Sequence, residues 1–190
     1  MKKYTWLIVL GVVLLVVIAG FSWYVGQRNS LIALEESVNG AWSEVDNQLQ
    51  RRSDLIPNLV ATVQGFATQE QQVFSDIANA RARLAGAGSV GETAESYEQL
   101  QSAVSRLLVI VENYPELRSN QNFMRLQDEL AGTENRIAVA RQRYNRSVQT
   151  FNARIRMFPG SIFANQLGFG AREYFEISEA AREVPRVQFN

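Results

Sequence analysis

The sequence predicts an all-α protein: an N-terminal transmembrane helix followed by an elongated, up-and-down antiparallel helical bundle. Three observations lead to this prediction. The run from Tyr4 to Gln27 contains no charged residue. Apolar residues then recur at intervals of three and four through most of the chain, which is typical of amphipathic helices. The alternating pattern that indicates β-strands does not stand out in any segment.

The uncharged run is long enough to cross a bilayer. At about 1.5 Å per residue, the stretch from Trp6 to Trp23 spans roughly 25 Å, close to the thickness of the hydrocarbon core. Trp6 lies near one end of this stretch, and Trp23 and Tyr24 lie at the other. Amphipathic aromatic side chains settle between lipid tails and water, so we expect these three residues to mark the two membrane interfaces.

A cleaved secretory signal is the alternative interpretation of the same run. Lys2 and Lys3 precede it, and Ala19 follows two apolar residues as a tolerable cleavage site. The apolar character nevertheless continues beyond Ala19 through Val25, which is longer than a signal requires. A retained single-pass anchor is therefore the favoured interpretation.

The lysines also predict the orientation and the domain division. Lys2 and Lys3 lie on one side of the run and Arg28 on the other, so the positive-inside rule leaves the N-terminus in the cytoplasm. We therefore expect residues 1–28 to form a cytoplasmic stub and membrane anchor. Residues 29–158 would form the bundle on the periplasmic or extracellular side. Residues 159–190 would form an aromatic, glycine-rich segment that packs on the bundle or extends from it.

Composition limits the chemistry that is available. The chain has no cysteine or histidine, and every lysine lies before residue 4. This excludes thiolate and imidazole metal sites, Ser-His and Cys-His nucleophile pairs, and Schiff-base lysines in the domain. The balance of 19 basic and 19 acidic residues does not indicate nucleic-acid binding. We expect no enzyme, no cofactor, no metal site and no nucleic-acid partner.

Helical periodicity begins again just after the anchor. Apolar positions from Leu31 to Leu49 form one helix face, and the helix starts either at Ser30 or without interruption from the anchor. Pro57 then removes a backbone donor, so the helix kinks or breaks there. The apolar phase continues beyond Pro57 as far as Leu84, which favours a kink.

Two further helices follow a glycine-rich turn at residues 86–91. The first carries apolar positions from Tyr97 to Val111 and ends before Pro115, because the residue before a proline avoids helical geometry. The second runs from Phe123 to Phe158, a regular pattern of roughly 35 to 43 residues including its flanks. Such a helix must lie against others to be stable.

Polar residues at helical spacing run beside the apolar faces. The simplest interpretation is that they face solvent or form interhelical hydrogen bonds that set the register. A polar pocket, or a cation held by carboxylates such as Glu44, Glu70 and Glu134, is the alternative. The predicted interhelix polar network comprises Arg51, Arg52, Asp54, Asn58, Glu134, Arg141, Asn145 and Asn152.

The C-terminal segment is rich in aromatic residues. They form either a cap folded onto the end of the bundle or an exposed surface for a protein partner, a second copy or lipid. Residues 184–189 look extended. The aromatic residues of the predicted interaction surface are Phe163, Phe169, Tyr174 and Phe175.

Several ordered motifs resemble one family of bacterial membrane proteins, the LemA family. They are Trp42 with Val45, the run RRSDLIPNLV at 51–60, YPEL at 114–117, TENRIAVARQRYN at 133–145, and VPRVQF at 184–189. The resemblance implies an N-terminal anchor and an all-helical up-and-down bundle, and it implies no established reaction. It also implies an N-terminus outside the cytoplasm, opposite to the lysine argument.

These observations predict a scaffold or assembly protein of the bacterial envelope. We expect it in the inner membrane, in contact with the lipid bilayer and associated with copies of itself, with other membrane proteins, or with both. A ligand- or ion-sensing module that uses polar stripes inside the bundle is the alternative. A carboxylate-based hydrolase would need two acids facing one cleft.

Overall fold

A computed structural model of the protein describes residues 2–67 and 69–176. The described residues form six α-helices and no β-strand, which confirms the predicted all-α class. Residues 184–189, predicted to be extended, lie outside the described residues. The helices are α1 (Lys2–Gln64), α2 (Gln71–Gly86), α3 (Val90–Val111), α4 (Pro115–Arg118), α5 (Gln121–Arg156) and α6 (Gly160–Leu167).

Helix α1 is continuous over 63 residues. It passes Ser30 without a break, so the helix that contains the apolar run also contributes the first bundle positions. It also contains Pro57, which excludes a break of the helix at that position. The sequence did not predict where α1 ends. The amides of Phe66 and Ala67 both donate to the carbonyl of Val63, and this closes the helix before α2 begins.

Short polar side chains define the starts of α3 and α5. Ser89 accepts a hydrogen bond from the amide of Glu92 (3.2 Å), and the Glu92 carboxylate accepts one from the amide of Gly88 (2.8 Å). This resembles a capping box, except that the glutamate binds the amide of the residue before the N-cap rather than that of the N-cap itself. At α5, the Asn120 side chain accepts hydrogen bonds from the amides of Asn122 and Phe123. The contacts with the amides of Glu92, Asn122 and Phe123 satisfy helix donors that would otherwise lack a partner.

The predicted ends of α3 and α5 are confirmed. Helix α3 ends at Val111, and Pro115 occupies the first turn of the short helix α4. Helix α5 is 36 residues long and ends at Arg156, just before Pro159. Two short elements were not predicted: α4, which precedes α5, and α6, which follows it.

The chain divides into two compact units, each made from two separate stretches. The smaller unit combines the residues up to Gly40 with Arg146–Arg172. The larger unit combines Ala41–Asn145 with the described residues from Glu173 onward. The domains expected from the sequence, divided at residues 28 and 158, are consecutive stretches of the chain. The two units are instead defined by which residues contact one another in space, so each combines separate stretches.

The larger unit has one apolar core to which five helices contribute. Burial of these side chains removes apolar surface from water and drives the helices together. The large residues of this core include Ile56, Leu59 and Val63 of α1, Ile77 of α2, Leu100 and Leu107 of α3, Leu117 of α4, and Phe123 and Leu130 of α5.

The smaller unit contains the apolar run. Its most apolar stretch has a mean hydropathy of 2.6 and none of it is buried, so α1 is long and apolar enough to cross a membrane. Further along α1, Leu31 and Val38 are buried, as are Val148 and Phe151 of α5. The same helix therefore provides an exposed apolar segment and part of a packed core.

Replacement of Gly160 tests the close packing of α5 against α6. A β-carbon at Gly160 would overlap the backbone carbonyl of Arg154. We expect Gly160→Ala to lower the free energy of unfolding by about 1–3 kcal/mol, because the backbone must shift to relieve the overlap. Thermal unfolding followed by circular dichroism in detergent measures the change.

Gly40→Ala is the matched control in the same unit. Gly40 lies inside α1, and no atom lies within 4 Å of the position that a β-carbon would occupy there. Alanine at this position should stabilise the helix by about 0.5–1 kcal/mol. Equal melting temperatures for wild type and Gly160→Ala would contradict the close approach.

Candidate functional site

Three polar side chains from three helices meet inside the larger unit, and we call them the polar centre. They are Arg52 of α1, Tyr97 of α3 and Glu134 of α5. Arg52 forms an ion pair with the Glu134 carboxylate. The hydroxyl of Tyr97 donates a hydrogen bond to the same carboxylate oxygen, Oε2. The Arg52 guanidinium also lies 5.6 Å from the centre of the Tyr97 ring, within the range of a cation–π contact.

Helical phase explains why these polar groups are inside. Arg52 lies between the buried residues Leu49 and Ile56, three and four positions away on the same face of α1. As a result, only 6% of Arg52 is exposed. Glu134 lies similarly between Leu130 and Ile137 of α5, at the edge of the core, and its side chain keeps 36% exposure. The buried cation therefore requires the carboxylate.

Tyr97 is 1% exposed, and its surroundings keep the hydroxyl protonated. Burial raises the pKa of the Tyr97 phenol, and the hydrogen bond to Glu134 acts in the same direction. The positive charge of Arg52 opposes this rise without overcoming it. The phenol therefore remains a hydrogen-bond donor to Glu134 over the physiological pH range.

Two buried polar atoms beside the polar centre have no hydrogen-bond partner among the described residues. They are Nε of Arg52 and Oε1 of Gln48, which lies one turn earlier on α1. One is a donor and the other an acceptor. The remaining amide group of Gln48 donates to Glu44 on the same helix (2.9 Å).

An aromatic cluster lies next to the polar centre in the larger unit. The ring of Phe175 lies 6.4 Å from Tyr97 and 6.0 Å from Trp42, centre to centre. The ring of Trp42 lies 5.2 Å from Tyr144. These separations are typical of favourable aromatic pairs. Because Phe175 belongs to the segment after α6, the cluster joins that segment to the helices.

Backbone hydrogen bonds hold the same segment in place. The Asn145 side chain both donates to the carbonyl of Phe175 (3.1 Å) and accepts from its amide (2.9 Å). The hydroxyl of Tyr144 donates to the carbonyl of Glu173 (2.8 Å). A side-chain amide that makes this pair of contacts replaces the partner that a neighbouring strand would provide.

The smaller unit repeats this arrangement. Asn152 donates to the carbonyl of Arg172 (2.9 Å) and accepts from its amide (2.8 Å). The side chain of Arg172 forms an ion pair with Glu35 of α1 at 2.6 Å. The rings of Phe151 and Phe169 lie 5.8 Å apart. In each unit, an asparagine of α5 therefore binds the backbone of the segment that follows α6.

The predicted polar network divides into four groups. Arg52 and Glu134 form an ion pair between a buried guanidinium and a partly exposed carboxylate, whereas Asn145 and Asn152 bind backbone rather than side chains. Arg141 is half-buried, close enough to Tyr97 for its charge to oppose the rise in the phenol pKa. The remaining three residues are exposed on α1: Arg51, Asp54 and Asn58. Sequence reasoning missed Tyr97 as a polar member, because it counted only as an apolar position.

The predicted aromatic surface is mostly internal. Phe163 and Phe175 are buried, Phe169 is half-buried, and Tyr174 is exposed. The buried rings pack within their own units and are not available to a partner in this conformation. Trp6, Trp23 and Tyr24 are exposed, as expected of interfacial residues.

The described residues contain no cluster of three or more acidic side chains that could hold a metal ion. Glu134 already interacts with Arg52 and Tyr97. A polar groove of about 440 Å³ lies along α2 and α3. Asp76 and Arg106 form an ion pair there at 3.2 Å, and Arg83 donates to Gln99 (2.8 Å). The charged walls of the groove thus interact with one another.

Comparison of the sequence with known proteins identifies the family to which the chain is similar. A family model described as the LemA family matches residues 41–189. Magnetosome protein MamQ 2 of Paramagnetospirillum magneticum is 27% identical over 174 residues, covering 78% of this chain and 64% of that protein. Magnetosome protein MamQ of Magnetospirillum gryphiswaldense is 28% identical, covering 77% and 64% respectively. The chain thus spans less than two thirds of the length of these relatives.

A third relative is covered more completely. Protein LemA of Metamycoplasma hominis is 25% identical over 161 residues, which cover 84% of this chain and 73% of that protein. The matched region of the family model includes all three residues of the polar centre and both asparagines that bind the segment after α6.

A double-mutant cycle tests the polar centre. Glu134→Gln leaves the buried Arg52 cation with a neutral amide, so we expect the free energy of unfolding to fall by about 2–3 kcal/mol. Adding Arg52→Met removes the stranded charge, and the double variant should recover much of this loss. Urea unfolding of the single and double variants measures the coupling.

Asp54→Asn is the control for loss of an acid on the exposed face of α1. It should change the free energy of unfolding by less than about 0.5 kcal/mol. Additive losses in the Arg52 and Glu134 variants would show that the two side chains do not stabilise each other.

Proposed function

The chain belongs to the LemA family, and from this premise we propose that it is a membrane-anchored helical scaffold of the bacterial envelope. It acts by binding other proteins, including further copies of itself. The observation that carries this proposal is that the guanidinium, the phenol and the carboxylate of the polar centre interact with one another. Arg52, Tyr97 and Glu134 hold three helices together. The chemistry inside the bundle thus maintains its shape and leaves interaction to the surface.

The exposed apolar segment of α1 supports the anchoring part of the proposal. None of its most apolar stretch is buried in the protein, so it requires an apolar environment elsewhere. Leu31 and Val38 of the same helix are packed inside the smaller unit. A single helix would therefore tie the protein to the bacterial inner membrane and contribute to its core.

The relatives support an assembly role over a catalytic one. Two of them are named as magnetosome proteins, and none of the three names describes a reaction. Because this chain spans 64% of those proteins, we infer only the general role of taking part in an assembled structure. The sensing alternative receives less support, since the interior carboxylate Glu134 already has two partners.

Self-association is tested by the mass of the purified protein. We expect light scattering of the detergent-extracted chain to give a multiple of its 21.4 kDa mass at micromolar concentration. Crosslinking in intact membranes then identifies the partners. A photoreactive amino acid at Val109 or Val139 suits this purpose, because both are exposed and the domain contains no lysine for amine crosslinkers.

The contrary outcome has two parts. A monomeric mass would reject self-association and leave other proteins as the only partners. Absence of adducts from both positions as well would reject the scaffold proposal. The same samples without irradiation provide the background for covalent products.

The orientation of the anchor has a separate test. We propose that the bundle faces the periplasmic or extracellular side, because Lys2 and Lys3 outnumber Arg28 across the span. A membrane-impermeant maleimide should then label Thr150→Cys in intact cells. Lys3→Cys, on the other side of the span, should react only after lysis. The chain has no native cysteine to interfere. The reverse labelling pattern would place the bundle in the cytoplasm.

A further inference from the structure

The turn between α5 and α6 carries an unusual concentration of exposed apolar surface. Phe158 is 81% exposed, a larger fraction than any of the large apolar side chains described in the N-terminal run. Met157 is 60% exposed and Ile162, on the first turns of α6, is 49% exposed. Three large, exposed apolar residues thus lie within six positions of the chain, and concentrated apolar exposure of this kind is typical of interaction sites. We call these three residues the apolar tip.

Helix α6 holds the apolar tip beside the end of the apolar run. The buried ring of Phe163 lies 6.0 Å from Trp23 and 5.2 Å from Tyr24, centre to centre. The hydroxyl of Tyr24 donates a hydrogen bond to Gln166 of α6 (3.1 Å). Trp23 and Tyr24 are the residues expected at the level of the lipid headgroups. Helix α6 is therefore at the same level.

The direction of α5 places its C-terminal end toward the membrane. Arg154 donates a hydrogen bond to Gln27 of α1. Asn152, two residues earlier, binds Arg172, whose side chain reaches Glu35, further from the apolar run. Later residues of α5 therefore lie beside earlier residues of α1, closer to the apolar run. Helix α5 ends two residues beyond Arg154, about 3 Å lower at the helical rise, and Phe158 lies in the turn that leads directly into α6, whose Phe163 and Gln166 contact Trp23 and Tyr24.

We propose that the apolar tip is a second membrane contact, in which Met157, Phe158 and Ile162 insert into the headgroup and upper acyl region of the bilayer that holds α1. The inference rests on the anchoring role proposed above. At this level lipid surrounds the anchor. Because the apolar tip lies beside the end of the apolar run, the same bilayer is the partner that we expect to cover it. Arg156, exposed in the last turn of α5, is placed to bind lipid phosphate while its stem stays among apolar groups.

A second contact gives the anchor a property that a single helix lacks. A lone transmembrane helix is free to rotate about its axis and to change its tilt. Apolar side chains inserted beside it, on another element of the same unit, would favour one rotation. The apolar tip would thus fix the rotation of α1 about its own axis.

Depth-dependent quenching in membranes tests the inference with the full chain. Single cysteines at positions 18, 146 and 158 are labelled with an environment-sensitive fluorophore, in a protein that has no native cysteine. The chain is reconstituted into phosphatidylcholine and phosphatidylglycerol vesicles that contain spin-labelled lipids. Ile18 lies in the apolar run, and Arg146 is exposed on α5 ten residues before its end, about 15 Å away along the helix.

We expect the label at position 158 to lose most of its emission to a spin label placed near the headgroup. The label at position 18 should respond to a deep spin label, and the label at position 146 should respond to neither. Because Phe158 is exposed, its replacement should leave the fold intact, and circular dichroism checks this.

Other outcomes overturn the inference in distinguishable ways. Quenching at position 18 together with purely aqueous behaviour at position 158 would reject the second contact and leave the anchor in place. A blue-shifted label at position 158 that lipid cannot quench would show that protein covers the tip. Failure of lipid to quench position 18 would reject both the second contact and the anchoring role.

Discussion

The interaction on which the larger unit depends is the ion pair between Arg52 and Glu134. Apolar burial drives the helices together but is not directional, so it does not by itself specify how far each helix is rotated or shifted. Only 6% of Arg52 is exposed, so a shift that moved the Glu134 carboxylate away would leave the Arg52 charge buried without a partner. Tyr97 adds α3 to the same oxygen. One carboxylate therefore relates three helices to one another.

A second constraint comes from the non-helical segment after α6. Its backbone amides and carbonyls have no neighbouring strand among the described residues, and buried groups of this kind need partners. Asn145 supplies them for Phe175, and Asn152 supplies them for Arg172. These side chains bind backbone atoms, so they fix the path of the segment whatever side chains it carries. The rings of Phe175 and Phe169 then complete the packing within their respective units.

Sequence periodicity predicted most of the helical architecture, because a helix that buries one face has apolar residues at intervals of three and four. It located the exposed apolar run, the 36-residue helix α5 and the end of α3, and it included Arg52 and Glu134 in the interhelix polar network. It missed the turn between α1 and α2, because the apolar phase is the same on both sides. It also missed the polar role of Tyr97, whose ring satisfies the apolar pattern while its hydroxyl binds Glu134. The contacts of Asn145 could not be predicted either, since almost any residue offers the backbone atoms that it binds and the sequence therefore shows no pattern.

Aromatic residues near the C-terminus show why composition alone could not separate a cap from an interaction surface. Phe163 and Phe158 are five positions apart and chemically identical, yet one is buried and the other is the most exposed of the large apolar side chains described. The difference comes from α6, which turns Phe163 toward Trp23 and Tyr24 and leaves Phe158 at the preceding turn. Elsewhere, exposed apolar residues such as Val109 and Val139 lie singly on their helices, as on ordinary protein surfaces. Within the smaller unit, the apolar surface without a protein partner is therefore concentrated in the N-terminal run and the apolar tip, where one bilayer can cover both.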